Sequence, residues 1–175
     1  AVDNKDRWIA TVDLPGARLQ PRHRLTDEAW INWGFNQFGW LPDNRTLWLL
    51  SEESGYSHLY TATGSDRFRA RTSGKWEVSE PQVAPDGNGF LFLCNRAWPG
   101  DYEVCALDLA SNHVREVTAL DGVESFSASP AGRQLLVRPS RSYTPAQLSV
   151  VGLDAVSFPH LTLPTNRQVY IHVGG

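Results

Sequence analysis

The chain is poor in the residues that carry chemistry on their own. It has no methionine, two cysteines and five histidines in 175 residues. Two cysteines, Cys94 and Cys105, are too few for a cysteine metal centre. His23, His58, His113, His160 and His172 show no ligand spacing, so no metal and no cofactor are expected. No apolar run approaches the roughly 18–20 residues of a membrane span, and no signal peptide is visible. Basic residues do not exceed acidic ones: 16 Lys and Arg stand against 19 Asp and Glu, a net charge of −3. A phosphate backbone needs a basic face, so nucleic acid is not an expected partner. The densest basic cluster, Arg67, Arg69 and Arg71, alternates along one segment and reads as a solvated strand face.

What the chain does have is a repeat. Val83-Ala-Pro-Asp-Gly87 runs into the apolar stretch Phe90–Asn95. Leu41-Pro-Asp-Asn44 runs into Leu47–Ser51, and Ser129-Pro-Ala-Gly132 into Gln134–Val137. The prolines Pro42, Pro85 and Pro130 are 43 and 45 residues apart. In a following strand, Leu59, Val104 and Leu148 are 45 and 44 apart, and the threonines Thr72, Thr118 and Thr162 are 46 and 44 apart. Thr26 lies 46 before Thr72. Proline presets φ at the second turn position, and Asp with Gly or Asn tolerates the tight geometry after it. Short aromatic and β-branched strands bounded by such turns, four to a unit of about 40–50 residues, are propeller blades.

The expected fold is therefore all-β: a β-propeller segment of about 3.5–4 four-stranded blades, an open arc of a larger ring. Residues 1–26 form the outer part of a preceding blade, with strands at Trp8–Val12 and up to Thr26. Blades follow at 27–72, 73–118 and 119–163, then a tail at 164–175 in which Gln168–Val173 could be a strand. The chain opens at Ala1 rather than at a methionine and enters a strand at once, which suggests an arc cut from a longer chain.

Little in this arc looks catalytic. Glu52 and Glu53 are sequence neighbours, which in a strand point to opposite faces, so a polar hairpin end is expected rather than an acid pair. Gly55-Tyr-Ser57-His-Leu59 resembles the start of a nucleophile elbow, but it lacks the second glycine and sits in a hairpin, so Ser57 is not read as a nucleophile. His58 is read as a packing or blade-surface residue. Residues 27–40 hold Trp30, Trp33, Phe35, Phe38 and Trp40, which either pack between blades or line a ligand wall. Cys94 and Cys105 come opposite each other if the hairpin centres near Pro99-Gly100. Direct cross-strand disulfide geometry often fits poorly, so two buried free thiols are expected.

Leu47-Trp-Leu-Leu-Ser-Glu-Glu-Ser-Gly-Tyr-Ser-His-Leu-Tyr60 and Ser73-Gly-Lys-Trp-Glu-Val78 resemble segments of the dipeptidyl peptidase IV propeller, the N-terminal domain of serine peptidases of the prolyl oligopeptidase family. Asn95-Arg96, the Pro99-Gly100 loop, Gln134-Leu-Leu-Val137 and Gln147-Leu-Ser-Val150 extend the likeness, which runs from about Trp8 to Asp154. The resemblance implies an eight-bladed propeller capping a separate α/β-hydrolase domain and restricting entry to short or flexible peptides. It implies that a glutamate pair before Ala1 captures the peptide N-terminus, and that the catalytic triad lies beyond Gly175. No catalytic residue is carried by this arc, and Glu52-Glu53 matches a different motif. Trp33, ten residues before Asp43, aligns with an aromatic residue of the family's extended substrate pocket. The implied partners are a peptide substrate, the protein's own hydrolase domain and a second copy in a homodimer. A bacterial member would be periplasmic or otherwise extracytoplasmic. The alternative is a stand-alone binding propeller with further blades and no hydrolase.

Overall fold

In the computed structural model, residues 4–143 and 145–153 are described. They form thirteen strands and one 3-10 turn, with no α-helix among them. Strands β1 (Asp6–Asp13) and β2 (Arg18–Thr26) make an antiparallel hairpin. The 3-10 turn Trp33–Phe35 leads into β3 (Phe38–Trp40). Then β4 (Thr46–Ser51), β5 (His58–Thr63) and β6 (Arg69–Ala70) complete a four-stranded meander in the order β3-β4-β5-β6. Strands β7 (Val78–Val83), β8 (Gly89–Trp98), β9 (Asp101–Asp108) and β10 (His113–Glu116) repeat that order. Strands β11 (Val123–Ala128), β12 (Gln134–Pro139) and β13 (Ser149–Gly152) begin it again. The expected threonine strand around Thr162 and the tail at 164–175 lie outside the described residues.

The repeat has a physical basis at each landmark. In all three proline turns a backbone N–H closes onto the carbonyl three residues back: Asn44 to Leu41 (3.0 Å), Gly87 to Ala84 (2.8 Å) and Gly132 to Ser129 (2.8 Å). The closing residue is left-handed each time, with φ of 53°, 75° and 69°, a region that Gly and Asn enter most readily. Gly87 also faces the ring of Pro42, and Gly132 that of Pro85: a side-chain carbon added there would meet the ring at 3.1 and 3.3 Å. The second and third turns thus nest on the turn of the preceding sheet.

The other two landmarks bond to each other. Thr72 Oγ1 accepts the backbone N–H of Leu59 (3.0 Å), and Thr118 Oγ1 accepts that of Val104 (2.8 Å). A buried strand N–H beside a short edge strand is satisfied by a hydroxyl instead of a ladder bond. Both threonines are buried.

Side-by-side stacking of the sheets makes the core. Trp48, Leu50 and Leu59 of the first sheet pack on Phe90, Phe92 and Leu107 of the second. Leu91, Leu93 and Val104, on the opposite face of the second sheet, pack on Val123, Leu135 and Val137 of the third. Ile9 of the β1–β2 hairpin packs on Leu49 and Tyr60. A strand between two neighbouring sheets is buried on both faces, which is why β4 reads Thr-Leu-Trp-Leu-Leu-Ser without alternation and is buried at all six positions. The arrangement is a run of radial blades that does not close among the described residues. At its two flanks apolar side chains stay exposed: Phe38 and Trp40 on the face shared with Leu49 and Leu47, and Leu136 with its cross-strand partner Val150 at the far side.

One expectation is corrected. Cys94 and Cys105 form a disulfide, with Cα atoms 5.9 Å apart. The hairpin tip pairs Trp98 with Asp101, which alone would set the two cysteines directly opposite. A register shift between Cys94 and Trp98 moves Cys94 opposite Glu103 and Cys105 opposite Phe92. The cysteines are therefore diagonal neighbours, at a separation within the usual disulfide range.

Candidate functional site

Chain direction places the proline turns at one end of the sheets and six other segments at the opposite end. These are residues 27–37, the β4–β5 loop, the β6–β7 connection, the β8–β9 tip, the β10–β11 connection and the segment after β12. This second end carries exposed aromatic side chains: Trp30, Trp33, Tyr56, Trp98 and Tyr143. Exposed Trp and Tyr grouped at one end of a fold are the residue types that make rigid contact surfaces.

Trp33 sits on a well-anchored loop. Asp27 Oδ1 accepts the N–H groups of Ala29 and Trp30 at 2.8 and 3.1 Å. The Asn32 side chain accepts from Gly34 N at 2.9 Å, capping the 3-10 turn. Ile31, 2% exposed, pins the loop to the core, while Trp33 itself is 45% exposed. The loop is thus held by its neighbours and leaves the indole free on its surface.

The strongest anchor is Arg7, which sequence reasoning passed over. It is 3% exposed, and its guanidinium donates to Phe35 O at 2.8 Å and Leu50 O at 2.6 Å. It therefore ties the β1–β2 hairpin to both the aromatic loop and β4. Burial lowers its pKa, while the negative charges of Glu52 and Glu53 oppose that shift. A period-two reading offered the only signal: Arg7 shares a strand face with buried Ile9.

The two glutamates do not act as a pair. Glu53 Oε2 meets His23 Nε2 at 2.9 Å and accepts from Ser51 Oγ at 3.4 Å. Glu52 is half-buried, which raises its pKa, and a backbone hydrogen bond from Asn32 works against the rise. Ser57 Oγ donates to Val78 O at 2.8 Å across the blade junction, a structural use of the hydroxyl. His58 is buried against Trp76, with Nδ1 3.1 Å from Thr72 Oγ1 and Nε2 3.1 Å from Gly74 O. Burial holds it below the usual histidine range. Glu103 stands 45 residues on, at the same place in the next sheet. It accepts from Thr118 Oγ1 and, at 2.6 Å, from Leu120 N. The Arg67 and Arg69 side chains are exposed, and Arg71 Nε donates to Thr61 Oγ1 at 2.7 Å. No group of three or more metal-ligating side chains occurs among the described residues.

The family model of the dipeptidyl peptidase IV (DPP IV) N-terminal region matches residues 3–146. The chain belongs to this family. Porphyromonas gingivalis dipeptidyl peptidase 4 superposes with a TM-score of 0.70 at 18% identity, over 84% of this chain and 21% of that one. TolB from Acinetobacter baumannii superposes with a TM-score of 0.58 at 14% identity, over 85% of this chain and 38% of that one. At these identities the likeness shows the propeller-type fold. The chain spans about a fifth and two-fifths of these two structures. No curated protein matches it in sequence.

Proposed function

We propose that this dipeptidyl peptidase IV N-terminal region is the non-catalytic propeller part of a serine dipeptidyl aminopeptidase. It forms a cavity wall and gates peptide access to a separate α/β-hydrolase domain. The observation that carries the reading is the anchored aromatic end, with Trp33 held half-exposed on a rigid loop, in a chain of this family. A rigid indole on a fixed loop contacts an extended peptide at small entropic cost. Trp33 contributes to binding beyond the scissile dipeptide and takes no part in bond cleavage. Peptide substrate, the hydrolase domain and a second copy of the parent enzyme are the proposed partners. A periplasmic or other extracytoplasmic setting accords with the Cys94–Cys105 bond, since disulfides persist where conditions are oxidising.

The test is Trp33→Ala in the full-length protein. Loss of one aromatic contact raises KM for a long peptide by about tenfold, equivalent to about 1.4 kcal/mol. Turnover of a dipeptidyl anilide, which is too short to reach the wall, stays the same. Equal effects on both substrates, or none on either, refute the reading. A stand-alone binding propeller is the second reading. Reading the coding sequence on both sides of the chain separates the two. A Gly-x-Ser-x-Gly segment downstream and a glutamate pair upstream support the peptidase; blades with no hydrolase support the binder.

A further inference from the structure

A cleft of about 410 Å³ opens between the second and third sheets at the proline-turn end, away from the exposed tryptophans. Its volume falls in the range of small-ligand pockets. Leu91, Ala106 and Pro130 give it apolar walls, and Asp108, His113 and Arg115 line it with polar groups.

Strand register puts these polar groups on one wall. In the β9–β10 ladder His113 stands opposite Asp108, and Arg115 opposite Ala106. Alternate residues of a strand share a face, so all four face the third sheet. Asp108 and Arg115 are diagonal neighbours, about 7–8 Å apart in such a ladder, yet the two charges do not pair. Arg115 Nη2 instead donates to Leu153 O at 3.0 Å. Its guanidinium meets no carboxylate among the described residues, and its other N–H groups have no partner there. Ser111 donates both its N–H and its hydroxyl to Asp108 Oδ1, each at 2.6 Å, which holds that carboxyl below the usual carboxylate range. Asp86, which also lines the cleft, is turned onto Asn88, whose N and Nδ2 donate to it at 3.0 and 3.4 Å. The wall thus presents an unpaired cation and an ionised carboxylate side by side above an apolar floor.

We infer that this cleft binds a dipolar ligand of the amino-acid type, its carboxylate on Arg115, its ammonium on Asp108 and its apolar side chain against Leu91, Ala106 and Pro130. The planar fork of a guanidinium matches a carboxylate. A plain anion is repelled by Asp86 and Asp108, and a plain amine leaves Arg115 without an acceptor. A free amino acid and a short peptide share this chemistry. The inference stands whether or not the chain serves a peptidase, because the cleft lies at the end opposite Trp33 and uses none of its loop.

The experiment is equilibrium dialysis of the full-length protein against radiolabelled phenylalanine. Phenethylamine and phenylpropionate serve as competitors, each of similar shape and each lacking one of the two charges. Phenylalanine is expected to bind, and each competitor to displace it at least about tenfold more weakly than unlabelled phenylalanine does. Arg115→Gln, at an exposed side chain, weakens phenylalanine by about tenfold or more. Asp108→Asn, which keeps an oxygen for Ser111, does the same. No phenylalanine binding, displacement by either competitor as strong as by phenylalanine, or undiminished binding to Arg115→Gln overturns the inference. Should Arg115→Gln fail to fold, Asp108→Asn decides: undiminished binding overturns it. Displacement by alanyl-phenylalanine, stronger or weaker than by phenylalanine, then separates a short peptide from a free amino acid as the source.

Discussion

Replacing Thr118 by Val should cost far more than the same change at Thr72, though both threonines occupy one position of the repeat. Valine keeps the shape, so no cavity forms and the loss is polar. At Thr72 the hydroxyl accepts from Leu59 N and meets the neutral ring of His58. The variant strands one buried N–H and loses one neutral hydrogen bond, a cost of about 2 kcal/mol. At Thr118 the hydroxyl accepts from Val104 N and donates to the carboxylate of Glu103, which is itself buried. At a pH where Glu103 is ionised, a hydrogen bond to a charged group contributes about 1.5–3 kcal/mol, so the total comes to about 3–5 kcal/mol. For a unit of this size that difference of about 1–3 kcal/mol shifts the melting midpoint by about 2–4 °C per kcal/mol, so Thr118→Val should melt about 2–12 °C below Thr72→Val. The assay is thermal and urea denaturation of both variants in the full-length protein, with amide exchange read at Leu59 and Val104. Equal losses, or protection at Val104 unchanged by Thr118→Val, would refute the reasoning.

Three further outcomes follow from the same structure. Cys94 and Cys105 should resist thiol labelling in the native protein until reductant is added. Changing both to alanine should cost about 2–3 kcal/mol in denaturant unfolding, because the bond closes a loop of 11 residues in sequence. Burial raises the Glu103 pKa above the ordinary carboxylate range. Its contribution to stability is therefore fully present below the unfolded pKa and lost as pH rises through the folded one. Glu103→Gln should flatten that part of the profile, which begins at the ordinary glutamate pKa and extends upward, in a pH series of urea midpoints. An unchanged slope would count against the assignment. Arg7→Met should cost about 2 kcal/mol by leaving Phe35 O and Leu50 O unpaired, and should speed amide exchange across residues 27–35 while leaving 123–137 protected.

The parts of the fold legible in the sequence were those written as local rules. Pro-Asp-Gly fixes a turn through φ alone, and its recurrence at 43 and 45 residues signals blades before any contact is known. The two threonines kept the period for a reason invisible in one dimension: each bonds to the strand landmark of its own blade, so the intervals had to move together. What stayed illegible depended on register. The Cys94–Cys105 bond turns on a shift near the hairpin tip, and counting from Pro99-Gly100 assumes the ladder runs unbroken. Arg7 was hidden because a buried arginine is justified only by distant carbonyls, Phe35 and Leu50, which no local pattern connects to it. Glu52 and Glu53 show the converse. They lie past the end of β4 at a polar hairpin end, where strand alternation no longer applies, and the structure hands one to His23 and the other to the Asn32 backbone.

The His58 and Glu103 pair carries that lesson to function. One repeat position holds a histidine ring in one blade and a carboxyl group in the next, each completing a bond to the equivalent threonine of its own blade, Thr72 or Thr118. The threonine is common because the backbone N–H it satisfies is common. The partner varies because it faces different loops: Gly74 beside His58, and Leu120 beside Glu103. The Leu120 loop continues into Asp121 and Gly122, and Gly122 borders a cleft of about 360 Å³ between the second and third sheets, so Glu103 holds a segment at its edge. Glu103→Gln, which keeps an oxygen for Leu120 N, should therefore leave amide exchange across residues 120–122 within about twofold of wild type. Glu103→Ala, which frees the loop, should speed that exchange at least tenfold at a temperature where the protein still reports a folded core by tryptophan fluorescence. Equal exchange in Glu103→Ala and wild type would show that the loop holds its shape without the carboxylate.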